Sequence, residues 1–206
     1  MSDLRMIVGL GNPGNLYLKT RHNVGANWLD WLATVYHAEF KENAKLKGLF
    51  AKASIEGKEC VLLKPTTYMN HSGLSVSLAS RYFQIPVGSI LVAHDEMAFS
   101  PGLVRIKLGG GANGHNGLRS LFSELDQNRK FSRLRIGVGH PGSASMVTPY
   151  LTKNKISPEE QRLIDDSLNF PQALMIDIVN AEWEKAMTQL HSKTKKMVGL
   201  SLWGLS

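Results

Sequence analysis

At 206 residues, 43% of them hydrophobic and 20% charged, the chain is long enough for one domain with a sizeable core and too apolar for a disordered polymer. A single cysteine, Cys60, excludes an internal disulfide and a thiolate metal cluster and suits a reducing compartment, and no apolar run reaches the ~18 residues of a membrane span. The formal net charge of +7 suits a polyanionic partner such as a nucleic acid, although the basic residues are dispersed and their one cluster, Lys193-Thr194-Lys195-Lys196, reads as a solvated terminus.

The chain from Met1 moves straight into a strand-like run at residues 5–10, with no signal-peptide pattern, so a cytoplasmic protein is expected. That run ends in the turn Gly11-Asn12-Pro13-Gly14. Asn23 is placed to cap a helix over 24–36, with Val24, Trp28, Leu32 and Val35 on one face. Two β-like runs, 48–55 and 59–64, form a predicted hairpin across Glu56-Gly57-Lys58. A helix over 72–83 stops before Pro86. Strands follow at 89–94 and 103–108, then a short helix at 117–125 and a strand at 133–138. Ser157-Pro158-Glu159-Glu160 spells a capping box with proline at the first helical position, opening a helix to about 169. A last helix is expected over 172–190. The alternation of strands and helices gives an α/β class: one domain, 1–206, with a mixed sheet and a helical C-terminal part.

Gly9-Leu10-Gly11-Asn12-Pro13-Gly14 matches the G-x-G-x-x-G pattern of dinucleotide-binding folds, in which the third glycine opens a helix. Here Pro13 precedes that glycine and the helical pattern starts only near Val24, so a nicotinamide-dependent oxidoreductase rests on the glycine spacing alone. The intervening polar loop carries Thr20-Arg21-His22-Asn23. Histidine titrates near neutral pH and can take a proton from water; in isolation His22 reads more readily as a helix-cap or surface residue.

Three further polar stretches stand at element ends: Tyr68-Met69-Asn70-His71-Ser72, His94-Asp95-Glu96, and the glycine-rich run from Gly109 to Gly117. Strand ends in such sheets can converge on one crevice. Together these supply His22, a carboxylate (Asp95) and carboxamides (Asn12, Asn70, Asn116). A carboxylate fixes the tautomer of a histidine base. Carboxamides can hold a peptide backbone or a developing oxyanion. There is no G-x-S-x-G elbow, no H-E-x-x-H and no Gly-Lys-Ser/Thr loop, so activated water is favoured over a covalent nucleophile, and neither a metal nor a nucleoside triphosphate is expected. Lys107 and Arg135 could contact phosphate or be solvated charges.

Taken in order over residues 6–142, these stretches resemble the bacterial-type peptidyl-tRNA hydrolase family. The matching segments are Val8 to Gly14 with Tyr17 and Thr20 to Asn23; Lys64 to Asn70 with Ser72-Gly73; His94-Asp95; Gly109 to Ser120; and Arg133 to Gly142. The resemblance implies a twisted mixed sheet flanked by helices, and hydrolysis of the ester joining a peptide to tRNA so that the tRNA is recycled. It implies His22 as the base for water, Asp95 as its partner, and Asn12, Asn70 and Asn116 around the substrate, with Tyr17, Met69 and His115 nearby. It further implies Lys107 and Arg135 as a clamp for the tRNA 5′-phosphate, no cofactor, and a monomer. The chain departs from the family at Glu96-Met97-Ala98-Phe99, where a second acid is usual, and at Asn113, where glycine is common. Beyond Val147 only general helical character matches, so a lid-like role for about 147–192 is the expectation there. A non-catalytic RNA-binding protein on the same scaffold is the alternative.

Overall fold

The computed structural model describes residues 3–203, and of 195–203 the backbone alone. Its centre is a seven-stranded mixed sheet of order β2-β3-β4-β1-β5-β7-β6. β1 (Met6–Gly9) lies between β4 (Lys58–Pro65) and β5 (Ile90–Glu96) and is parallel to both; β5 is parallel to β7 (Ser132–Gly137). The flanks are antiparallel: β2 (Lys41–Asn43) and β3 (Gly48–Ile55) beyond β4, and β6 (Val104–Leu108) beyond β7.

The central strands carry unbroken apolar runs, at residues 6–8, 61–63 and 90–93, because both faces are covered. Ile7, Leu62, Leu91 and Leu134 point to one face, under α1 (Val24–Val35), α5 (Pro158–Leu168), α6 (Gln172–Val179) and α7 (Trp183–Trp203). Met6, Val8, Leu63 and Val92 point to the other, under α2 (Ser72–Tyr82) and α3 (Asn116–Glu124). The close approach of α1 rests on two glycines of facing elements. A Cβ on Gly9 would sit 2.5 Å from the Gly25 carbonyl oxygen, and one on Gly25 would sit 2.2 Å from that of Ala93. Gly9 thus serves helix–sheet packing, and Gly14 opens a 3₁₀ turn (Asn15–Tyr17), not the helix a dinucleotide site requires.

The predicted hairpin is present. Ile55 pairs with Lys58, and Glu56 and Gly57 both take positive φ (48° and 79°), as in a two-residue turn that matches strand twist. Four features differ from expectation. β2 and a short helix α4 (Val147–Thr152) are additional; β2 is polar and α4 contains Pro149, so neither shows a clean period. The expected helix over 172–190 is two helices. Ala181 adopts φ 55° and Glu182 N–H reaches back to the Asp177 carbonyl at 2.8 Å, turning the chain with no glycine or proline to mark the break. Asn23 occupies the N-cap position of α1 but its side chain does not cap it.

The basic cluster also differs from a solvated end. Thr194 is fully buried, and its hydroxyl is 3.1 Å from both the Val104 and Leu190 carbonyls. His191 Nε2 accepts the Ile106 N–H at 3.1 Å. α7 therefore lies along the outer edge of β6. The side chains of Lys195 and Lys196 lie outside the described residues.

Candidate active site

β1, β4, β5 and β7 run parallel, so their C-terminal ends share one edge of the sheet. The loop after β1 delivers His22 within a 3₁₀ turn (Arg21–Asn23), and β5 ends on Asp95 and Glu96. The glycine-rich stretch leaves β6 at Leu108, level with Ser132 at the start of β7, and crosses to the end of β5, where His115 meets Asp95. Arg133 holds this stretch in place: its guanidinium donates to the Gly111 carbonyl at 2.7 Å and to that of Gly109.

Asp95 is 3% exposed, and one of its oxygens, Oδ1, receives both histidines: His22 Nδ1 at 2.8 Å and His115 Nε2 at 2.9 Å. His115 Nδ1 accepts the Leu118 N–H that opens α3, at 3.3 Å, so the His115 proton belongs on Nε2. Both rings then donate to an ionised carboxylate. For His22 this leaves Nε2 with a free lone pair, the arrangement of an oriented general base. Burial alone would lower the His22 pKa, but the Asp95 charge and hydrogen bond outweigh it and hold the ring above 6.5. Burial would raise Asp95, and the two imidazoles override it, keeping the carboxyl well below 3.8.

His94 is of another kind. It is 2% exposed, donates from Nδ1 to the Asp95 carbonyl at 2.7 Å, and meets the His115 ring edge-on at 4.9 Å. Burial, reinforced by His115, pushes its pKa down to about 3, so it is neutral at physiological pH. His22, Asp95 and His115 also present three possible metal-ligand atoms within 4.8 Å of one another. A metal there would have to displace both protons that the two rings share with Asp95.

The His22–Asp95 pair borders a cleft of about 340 Å³, walled by the end of β5, the glycine-rich stretch through Asn116, and the inner face of α4 at Val147, Thr148 and Leu151. Asn116 is exposed at the first position of α3 on this cleft. Asn12, Tyr17, Met69 and Asn70 do not line it; they form an adjoining group. Asn12 Oδ1 accepts the Met69 N–H at 2.8 Å, leaving the amide nitrogen unbonded within the described residues. Asn23 exchanges two 2.9 Å bonds with the Asn12 backbone, which ties Asn12 to the residue beside His22. Tyr17 meets Tyr68 edge-on at 6.5 Å, and Asn70 is exposed. Met69 and His115 come together at Gly117, where a Cβ would fall 2.6 Å from Met69 Sδ and 3.0 Å from His115 Cε1.

Lys107, Arg133 and Arg135 gather around a second hollow of about 410 Å³. Lys107 is exposed, whereas Arg135 is stacked on Phe99 at 4.4 Å and paired with Glu96 at 3.0 Å. Sequence reasoning missed Asn23 as a brace for Asn12, Arg133 as the anchor of the glycine-rich stretch, and Glu96 as the partner of Arg135. The available signal was the alternation of Arg133 and Arg135 along one strand, which places both on one face.

The sequence profile of the peptidyl-tRNA hydrolase family matches residues 6–198. The chain is 46% identical over 191 residues to the peptidyl-tRNA hydrolase of Saccharophagus degradans, covering 93% of this chain and 96% of that protein. It is 44% identical to that of Pseudomonas paraeruginosa, covering 94% and 99%. The fold superposes on the crystal structure of peptidyl-tRNA hydrolase from Acinetobacter baumannii with a TM-score of 0.88 at 41% identity, covering 93% and 96%.

Proposed function

The chain belongs to the peptidyl-tRNA hydrolase family and is a hydrolase of peptidyl-tRNA, and from that premise we propose how its residues cleave the ester. His22 Nε2 takes a proton from a water, which attacks the ester carbonyl carbon. Asp95 stabilises the resulting imidazolium and keeps its Nδ1 proton in place. The tetrahedral intermediate collapses by breaking the bond to the ribose oxygen, and His22 returns its proton to that oxygen. Free tRNA and a peptide acid leave.

Around this centre the unbonded Asn12 amide donates to the peptide carbonyl or the developing oxyanion. Asn70 and Asn116 hold the peptide backbone, with Tyr17, Met69 and His115 shaping the approach; His115, with both ring nitrogens engaged, acts by bracing Asp95. Lys107 and Arg135 take the tRNA 5′-phosphate. The 147–192 region serves as a lid, a reading supported by the α4 residues on the cleft. We further read the protein as a cytoplasmic monomer that recycles tRNA and needs no metal or organic cofactor.

The observation that carries the reading is the His22–Asp95 bond with Nε2 left free. The test is paired hydrolysis of N-acylated and free aminoacyl-tRNA. The acylated substrate should be cleaved much faster, because neutral carboxamides suit an amide and not a charged amine. His22→Ala should lower kcat by about 10²–10⁴ while tRNA affinity stays. Equal rates on the two substrates would reject the peptide-reading site; tRNA binding without turnover would favour the binding-only alternative.

A further inference from the structure

Glu96 follows Asp95 directly on β5, and its carboxylate faces a different task. It is 6% exposed and borders both the catalytic cleft and the cationic hollow. Oε2 accepts from Arg135 Nε at 3.1 Å and its terminal nitrogen at 3.0 Å, and Oε1 accepts the Ala98 N–H at 3.0 Å. With the Phe99 ring under its plane, Arg135 is fixed and presents only its remaining edge to the hollow. Arg133 is also committed, through Gly109 and Gly111. Gly110, at φ 95°, sits beside both side chains: a Cβ there would lie 2.9 Å from Arg133 and from Lys107.

A site meant only to grip an anion would not bury a carboxylate against its best donor. The negative charge opposes an incoming phosphate while the salt link keeps Arg135 oriented. We propose that Glu96 is a built-in counter-ion of the phosphate hollow. It positions Arg135 and weakens the hold on phosphate, so that tRNA binds loosely enough to leave after hydrolysis. This rests on the reading of Lys107 and Arg135 as the contact for the 5′-phosphate of tRNA.

Glu96→Gln removes the charge and keeps an acceptor for Arg135. At modest separation in a solvated hollow one charge acting on a phosphate corresponds to about a fivefold change in binding. Deacylated tRNA carrying a 5′-phosphate should therefore bind the variant about fivefold more tightly. The slope of log K against log salt should steepen by up to roughly one unit, as Arg135 gains a small counter-ion to release. tRNA with a 5′-hydroxyl should bind both proteins alike. Because no internal negative charge then offsets Arg135, Arg135→Gln should cost more affinity in the Glu96→Gln background than alone. Glu96→Asp, which keeps the charge, should retain the original salt slope.

Unchanged or weaker binding of 5′-phosphorylated tRNA to folded Glu96→Gln protein would overturn the counter-ion role. Should that variant not fold, a steepened slope in Glu96→Asp would overturn it as well. If the unaltered protein binds 5′-phosphate and 5′-hydroxyl tRNA equally, the phosphate reading itself fails and the inference with it.

Discussion

Two imidazoles share one oxygen of Asp95, so Asp95→Asn strikes the proposed base and its brace together. The variant should lose about 10²–10⁴ in kcat/KM, as when a triad carboxylate becomes an amide. The pH profile gives the sign. His22 must be neutral to act, and Asp95 holds its pKa above 6.5, so activity should rise with pH through a value above 6.5 in the unaltered protein. Residual activity of Asp95→Asn should rise at lower pH, because the raising influence is gone. His94 predicts the opposite coupling, to stability. Its folded pKa of about 3 lies below its unfolded 6.5, so its contribution is complete above 6.5 and shrinks as pH falls toward 3. Between about pH 5 and 6.5 ordinary carboxylates are mostly ionised, and thermal melts over that window should slope downward with acid. His94→Phe should flatten the slope; a slope unchanged would remove His94 from the account. His22 and Asp95 were legible because their chemistry is carried by residue type and by neighbouring motif residues. The buried state of His94 was not, because it depends on which face of β5 α3 covers.

Arg21, next to His22, staples the turn that carries that histidine to three distant segments. It is 7% exposed, donates to Glu160 at 2.8 Å and to the Lys155 carbonyl at 3.3 Å, and stacks on Tyr150 of α4 at 4.1 Å. Glu160 does two jobs, since the same Oε2 also accepts the Ser157 N–H and completes the capping box of α5. Glu160→Ala should cost about 2 kcal/mol, from the cap and from a cation left without its partner. That is a melting temperature lower by roughly 4–8 °C for a protein of this size, measured by calorimetry. With α4 less firmly held over the cleft, KM should rise more than kcat falls. The capping box could be read from Ser157-Pro158-Glu159-Glu160 because a cap is local. The second use of Glu160 spans 139 residues of chain, and local spacing says nothing of it. The helix break at Ala181 was hidden for a related reason: apolar periodicity continues across it, and only tertiary packing compels alanine into a left-handed turn.

For the whole molecule, the net charge of +7 points to a polyanion without saying where it binds. Convergence of Lys107, Arg133 and Arg135 on one hollow follows from antiparallel pairing of β6 with β7, in which Lys107 stands opposite Arg133. Register across two strands separated by a long glycine-rich connection is not written in either strand alone. If Lys107 meets phosphate, Lys107→Ala should weaken tRNA binding and make the salt slope shallower by roughly 0.7–0.9 units per lost contact. An unchanged slope would free Lys107 of that role. The placement of α7 along β6 bears on what the protein does among its own copies. An uncovered outer strand is a template on which another chain can add a strand, and here His191 and Thr194 occupy the outward Ile106 N–H and Val104 carbonyl. A chain ending at Leu190 would bare that edge. Such a truncated protein is expected to scatter light and grow β-rich assemblies at concentrations where the intact chain stays clear.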